Sequence, residues 1–180
     1  MSPTIWTIGH STRAIGEFTG LLCAHKIHLL VDVRTVPRSR YNPQFNREIL
    51  AESLKEIGLA YLHMPELGGL RKARKDSINA AWRNAGFRGY ADYMQTETFR
   101  KALEELMAHG TDTKTAIMCA EAVPWRCHRS LIADALVGCG WDIRHIMSSE
   151  KPTWHILTSF ARFEKGTLTY PKPTDKPSLF

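Results

Sequence analysis

At 180 residues, 43% hydrophobic and 23% charged, the chain has the composition of an ordinary globular protein long enough for one full core. No apolar run is long enough to span a bilayer, and Met1 to Ile8 lacks the basic start, apolar core and cleavage site of a signal peptide, so no membrane association is expected and the expected location is the cytoplasm. Lys and Arg number 24 against 18 Asp and Glu, a formal charge of +6, which favours phosphate-bearing partners over cationic ones without specifying nucleic acid.

The elements alternate. Ile5 to Ile8 reads as a first strand running into Gly9-His10-Ser11-Thr12, a tight turn with a helix cap; Ile15, Phe18, Leu21 and Leu22 then recur at helical spacing. Leu29 to Val33 is a second strand. Arg34 to Pro43 is irregular, because Pro37 and Pro43 forbid a continuous helix. Asn46 is placed to cap a helix with an apolar stripe of Ile49, Leu50, Leu54 and Ile57, closed by Gly58. Leu59 to His63 is a third strand, stopped by Pro65 to Gly69. Residues 70–88 form a basic excursion, read as a flexible lid with a short helix.

Helices are predicted over Tyr90 to Met94 and Thr98 to His109, a fourth strand over Thr115 to Cys119, its helix over His128 to Val137, and a fifth strand over Ile143 to Ile146. Residues 152–163 carry a weak helical pattern. Residues 1–165 thus read as a single α/β domain, and 166–180 as a Pro-rich mobile tail. The expected fold is a three-layer α/β/α sandwich on a mostly parallel sheet of about five strands.

In such sheets ligands bind outside the carboxyl ends of the strands. This chain loads those ends with polar groups: His10 and Ser11 after the first strand, Asp32 and Arg34 at the second, His63 and Glu66 at the third, Cys119 and Glu121 at the fourth. A structural protein has little reason to do so. The densest stretch runs from Cys119 to Arg129 and holds two thiols, a carboxylate, an imidazole and two guanidiniums.

Five ordered motifs carry a resemblance. Thr7 to Thr12, Val31 to Arg34 with Pro37, Ser39 and Arg40, Pro65 to Gly69, Phe87 to Met94, and Met118 to Glu121 continuing through Cys127-His128-Arg129 resemble the domain of unknown function 488 family over about residues 4 to 147. The resemblance implies a compact α/β domain of bacterial or archaeal type and assigns no reaction, so chemistry must come from the residues.

Cys119, at a strand end facing a helix start, is either a nucleophile whose pKa is lowered by Arg126, His128 or Arg129, or a thiol that packs there. The loop differs from the anion cradles of cysteine phosphatases. Its Cys-to-Arg spacing is one residue longer, it has no glycine, and Glu121 brings negative charge, so phosphatase chemistry is not expected. His128 is a candidate base and Arg129 a bidentate clamp, against a reading in which they cap the helix or pair with Glu121 and Asp134.

Cys119, Cys127 and His128, with His10 or His63, could also ligate a metal, though the spacing is not a standard one. Cys23 and Cys139 read as small core residues. No dinucleotide fingerprint is present, and no motif specifies a cofactor. His10, Ser11, Arg34, Arg40, His63, Glu66, Arg88, Tyr90, Arg126, Cys127 and Arg129 are taken as ligand-binding candidates, and Cys119, Glu121 and His128 as catalytic ones.

Three functions follow. The first is a strand-edge site that binds a phosphate-bearing ligand, a nucleotide or nucleic acid, and acts on it by thiolate or acid–base chemistry. The second is a non-catalytic nucleic-acid module. Basic residues at 34–47 and 71–90 interleave with Tyr41, Phe45, Trp82, Phe87 and Tyr90, which either stack on bases or pin a solvated lid. Its tail, Lys176 to Phe180, is similar to the Leu-Phe ending of peptides that dock on sliding clamps, with Lys176 in place of the usual Gln, so Leu179 and Phe180 would do the docking. The third is a metal-dependent hydrolase.

Overall fold

A computed structural model describes residues 2–173. Its elements are β1 (Thr4–Gly9), α1 (Ile15–Ala24), β2 (Leu29–Asp32), α2 (Arg47–Glu56), β3 (Ala60–His63), α3 (Ala85–Tyr93), α4 (Glu97–Asp112), β4 (Thr115–Cys119), α5 (Arg129–Gly138), β5 (Asp142–Ile146), β6 (Thr153–Trp154), β7 (Arg162–Glu164) and β8 (Thr167–Thr169). One sheet runs β3-β2-β4-β1-β5-β6, parallel except for β6, and β7 and β8 make a separate hairpin. The α/β class is as expected. No described helix is long and apolar enough to cross a membrane.

Strand alternation divides the core. Ile8, Leu30, Ala116, Met118 and Ile146 face α1 and α2, packing on Phe18, Leu22, Leu50 and Leu54. Ile5, Val31, Ile117, Cys119 and Ile143 face the other way, onto Tyr90, Phe99, Leu106, Leu131 and Ile132 of α3, α4 and α5. Thr7, Cys119 and His145 therefore share the α5 side, while Asp32 shares the α1/α2 side. Helix α5 is buried from Arg129 to Leu136, and the sheet side of this layer is built around it.

Several local expectations are corrected. Residues 152–163 hold no helix: Pro152 interrupts it, and Thr153 and Trp154 pair with β5 as a short edge strand. The helix after β1 starts later than Ser11 and Thr12, and Ser11 instead takes a positive φ of 50° in the turn. Asn46 flanks α2 without capping it, because its side-chain oxygen accepts the Ser39 N–H at 2.8 Å and pins the irregular segment. Cys23 and Cys139 are exposed, one near the end of α1 and the other just past α5.

The chain just after residue 165 is packed rather than loose. Thr167 to Thr169 form β8, and Tyr170 is buried with its hydroxyl donating to Asp134 at 2.9 Å. Leu179 and Phe180, the proposed clamp-docking pair, lie outside the described residues.

The basic excursion is also fixed. Buried Asp92 of α3 accepts from Ser77 Oγ at 2.6 Å, Asn79 Nδ2 at 2.9 Å and the Arg74 N–H at 2.8 Å, and buried Asn79 accepts from the Tyr170 N–H at 2.9 Å. Gly89 lets the excursion lie flat on α3, since a Cβ there would meet the Arg71 carbonyl at 2.2 Å. Trp82 packs against Phe87, Phe160 and Tyr170, so these aromatics pin the segment to the core rather than offering free faces to bases. Asp92→Ala is expected to cost about 3 kcal/mol by stripping three donors of their acceptor, that of Asn79 fully buried. The checks are the denaturant midpoint and protease cleavage within residues 71–80, which should appear in the variant before global unfolding.

Candidate functional site

The carboxyl ends of β1, β2 and β4 open into a cleft of about 520 Å³. His10, Arg34, Tyr90, Cys119, Glu121, Arg126, Cys127 and His128 line it, so much of the expected constellation converges. Arg129 lies buried beneath the floor. Ser11, Arg40, His63, Glu66 and Arg88 are not part of the lining. Ser11 accepts from His10 Nδ1 through its carbonyl at 2.7 Å; Arg40 and Glu66 are exposed outside the cleft; His63 Nε2 donates to the Arg34 carbonyl at 2.8 Å; and Arg88 reaches the Trp82 carbonyl at 3.3 Å. Phe87, one of the candidate stacking aromatics, also lines the cleft, and Arg38, Ser39, Gly69 and Asn84 line it without having been named as ligand-binding candidates. Asn84 is legible only as a helix cap, accepting from the Gly86 and Phe87 N–H groups.

Arg34 is committed mainly to structure. Its Nε and Nη2 donate to the two oxygens of fully buried Asp32 at 2.8 and 2.6 Å, and Nη2 also reaches the Phe45 carbonyl at 2.7 Å. Tyr61 donates to the same carboxylate at 2.7 Å, and burial next to that anion pushes its hydroxyl pKa upward. Arg34 keeps Nη1, 3.4 Å from His10 Nε2, nearest the cleft. His10, stacked on Phe45 at 4.2 Å, spends its Nδ1 proton on Ser11 and leaves Nε2 as an acceptor. Burial, with Arg34 adding to it, lowers its pKa to about 4. His10 is therefore a neutral ring at pH 7, and it offers a phosphate neither charge nor a free N–H.

The loop from Ala120 to His128 is held from below. The Arg129 guanidinium donates from Nε to Cys119 Sγ at 3.0 Å, from Nη1 to Thr7 Oγ1 at 3.2 Å, and from Nη2 to the carbonyls of Glu121 and Ala122. Gly9 is required for this closeness, since a Cβ there would sit 1.9 Å from the Glu121 carbonyl oxygen. Arg129 is thus no ligand clamp, being 1% exposed with each of its three guanidinium nitrogens already donating within the fold.

The two thiols differ in their surroundings. Burial pushes Cys119 up, whereas the neighbouring Cys119 and the His128 and Arg129 cations pull Cys127 down. The acidic thiol of the pair is Cys127. Its Sγ is 3.5 Å from His128 Nδ1 and accepts the Arg129 backbone N–H at 3.5 Å. His128 Nε2 is 3.2 Å from the Val33 carbonyl, which can only accept, so that nitrogen carries a proton. The mobile proton then lies between Cys127 Sγ and His128 Nδ1. Donation from Nδ1 gives a thiolate–imidazolium pair, the arrangement that activates cysteine nucleophiles. Tyr90, buried with its hydroxyl on the Leu67 carbonyl at 2.7 Å, packs its ring 5.1 Å from that imidazole.

Among the described residues, no three His, Cys, Asp or Glu side chains are grouped to hold a metal ion. The candidate cluster of Cys119, Cys127 and His128 is bound up in its own hydrogen bonds, and His63 is turned onto the Arg34 carbonyl.

Residues 14–136 match the family model described as domain of unknown function DUF488. The chain belongs to that family. No curated protein and no solved structure matches the chain. Membership extends over α1 through most of α5, and so includes every residue of the Cys119 to Arg129 stretch.

Two outcomes follow from these charges. Asp32→Ala leaves Arg34 buried without its anion and should destabilise the protein by about 3–5 kcal/mol, read from chemical denaturation. Because His10 is depressed in the fold to about 4 from 6.5, the folded state binds fewer protons than the unfolded one between those values. Stability should therefore fall as pH drops from 6.5 towards 4, and His10→Gln should flatten that slope.

Proposed function

We propose that this DUF488 protein is a cysteine-dependent enzyme that binds a phosphate-bearing small molecule of nucleotide size in the strand-edge cleft. Cys127 acts as the nucleophile and His128 as its proton partner. The observation that carries this reading is the Cys127–His128 contact at 3.5 Å, with the far imidazole nitrogen fixed on the Val33 carbonyl. Cys119 supports the thiolate by hydrogen bonding, and Glu121 at the rim is the remaining acid–base candidate.

Anion binding is supported by the cations around the mouth. Arg38 and Arg126 are exposed at the lining and Arg34 presents Nη1, consistent with the formal charge of +6. A cavity of about 520 Å³ falls within the range of small-molecule sites, roughly 300–1,000 Å³. A nucleotide at a strand end suits that size better than a duplex, since no element is disposed as a recognition helix.

The test is iodoacetamide alkylation followed by peptide mass analysis over a pH range, on wild type, Cys127→Ser, Cys119→Ser and His128→Gln. A midpoint at Cys127 well below the ordinary value of about 8.5 is expected, moving up in His128→Gln. An ordinary midpoint at Cys127 in folded wild type would end the nucleophile reading. Protection of Cys127 by a nucleotide panel, weakened at least about tenfold in Arg126→Ala with Arg38→Ala, would identify the ligand class, since each charge-assisted contact contributes about 1.5–3 kcal/mol.

A further inference from the structure

Behind the cleft floor, side chains from α5, β1 and β5 and from His155, just past β6, form one buried file. Arg129 Nη1 donates to Thr7 Oγ1 at 3.2 Å; Thr7 Oγ1 meets His145 Nδ1 at 2.8 Å; His145 Nε2 meets His155 Nδ1 at 3.1 Å; and His155 Nε2 meets Asp134 Oδ1 at 2.8 Å. Asp134 is fully buried and also accepts from the Tyr170 hydroxyl at 2.9 Å and the Thr158 N–H at 3.0 Å. With both histidines in their neutral forms, proton accounting gives a single direction. A carboxylate accepts, so His155 Nε2 donates; neutral His155 then accepts at Nδ1, so His145 donates from Nε2 and accepts at Nδ1. Thr7 gives its hydroxyl proton to His145 and accepts from Arg129. Every site is used once, and the file points from a buried cation to a buried anion.

A smaller cavity of about 340 Å³ lies beside it, lined by Trp125, Trp154, His145 and His155. The ring nitrogens of both histidines are already engaged within the file, so the pair has nothing left with which to act on a molecule held there. Its partners lie inward, towards the thiols.

We propose that Thr7, His145 and His155 are positioning residues that hold the Arg129 guanidinium under the cysteine pair, with Asp134 as the distant counter-charge. The proposal rests on the reading of Cys127 as nucleophile. Arg129 reaches Cys119 Sγ through Nε at 3.0 Å and Cys127 Sγ through its backbone N–H at 3.5 Å, so the placement of this one residue sets positive potential beside both thiols. The other charged or titratable groups facing the pair are His128 from the start of α5, His10 and Arg34 from the ends of β1 and β2, Tyr90 from α3, and Glu121 and Arg126 from the loop. None of these touches the guanidinium through a side chain. Thr7 is its only side-chain acceptor besides Cys119 among the described residues, and Thr7 is in turn oriented by His145.

Thr7→Val keeps the shape and removes the hydroxyl; Thr7→Ser keeps the hydroxyl. The midpoint of the Cys127 alkylation profile is expected to rise by about one pH unit or more in Thr7→Val, within the range that a nearby cation controls, and to stay at the wild-type position in Thr7→Ser. His145→Gln cuts the file one residue further on, should raise the midpoint in the same direction, and serves if Thr7→Val does not fold. On the wild-type protein, long-range proton–nitrogen NMR should show His145 and His155 each protonated at Nε2 alone near pH 7.

A wild-type profile in folded Thr7→Val or His145→Gln, equal shifts in Thr7→Val and Thr7→Ser, or a proton on His145 Nδ1 would overturn the proposal. An ordinary Cys127 profile in wild type with the expected tautomers would instead defeat the nucleophile reading and leave the file standing as structure.

Discussion

One buried guanidinium organises this molecule. Arg129 is 1% exposed at the first position of a helix that is itself buried for most of its length. A guanidinium stays charged at any pH the protein meets, so the fold cannot neutralise it by losing a proton and must surround it with acceptors. It does so from three directions: a sulfur at the end of β4, a hydroxyl in β1, and two carbonyls of the loop between β4 and α5. The same contacts that satisfy the charge set the loop's path and bring Cys119 and Cys127 together above it.

Much of the fold was legible because it depends on local pattern. Apolar, β-branched runs such as Leu29 to Val33 and Thr115 to Cys119 can be little else in a chain of alternating helical stripes, and alternate residues of these strands sort cleanly onto the two faces of the sheet. The misses fall where a segment is shaped by its partner rather than by its own pattern. Thr153 and Trp154 become a strand only because β5 has a free edge, and residues 71–84 are ordered only because Asp92 and Asn79 collect their polar groups.

The candidate site was legible by type and less so by role. The strand-end rule gathered four of its lining residues, His10, Arg34, Cys119 and Glu121, and the dense stretch after β4 added Arg126, Cys127 and His128, without any knowledge of geometry. It could not separate Cys119 from Cys127, because that difference comes from which thiol meets an imidazole and which is stripped of solvent. Nor could it detect the file behind the floor. Thr7 and His145 look like ordinary strand residues, and Asp134 is a single acid in an apolar helix. The one local sign was that an acid so placed, within Leu131 to Val137, must have a partner.

The sheet's two borders also differ from its middle. On one side it stops at β6, two residues long; on the other at β3, four residues lying between Gly58 and Pro65. A sheet edge is a template for another chain's backbone, and its length decides how many hydrogen bonds an intruder could form. The central strands β1 and β4, long and apolar enough to seed such pairing, are each flanked on both sides. A molecule that carries a buried thiol pair beside the end of β4 thereby keeps its least soluble segments away from its neighbours, and confines any stacking of sheets to borders too short to sustain it.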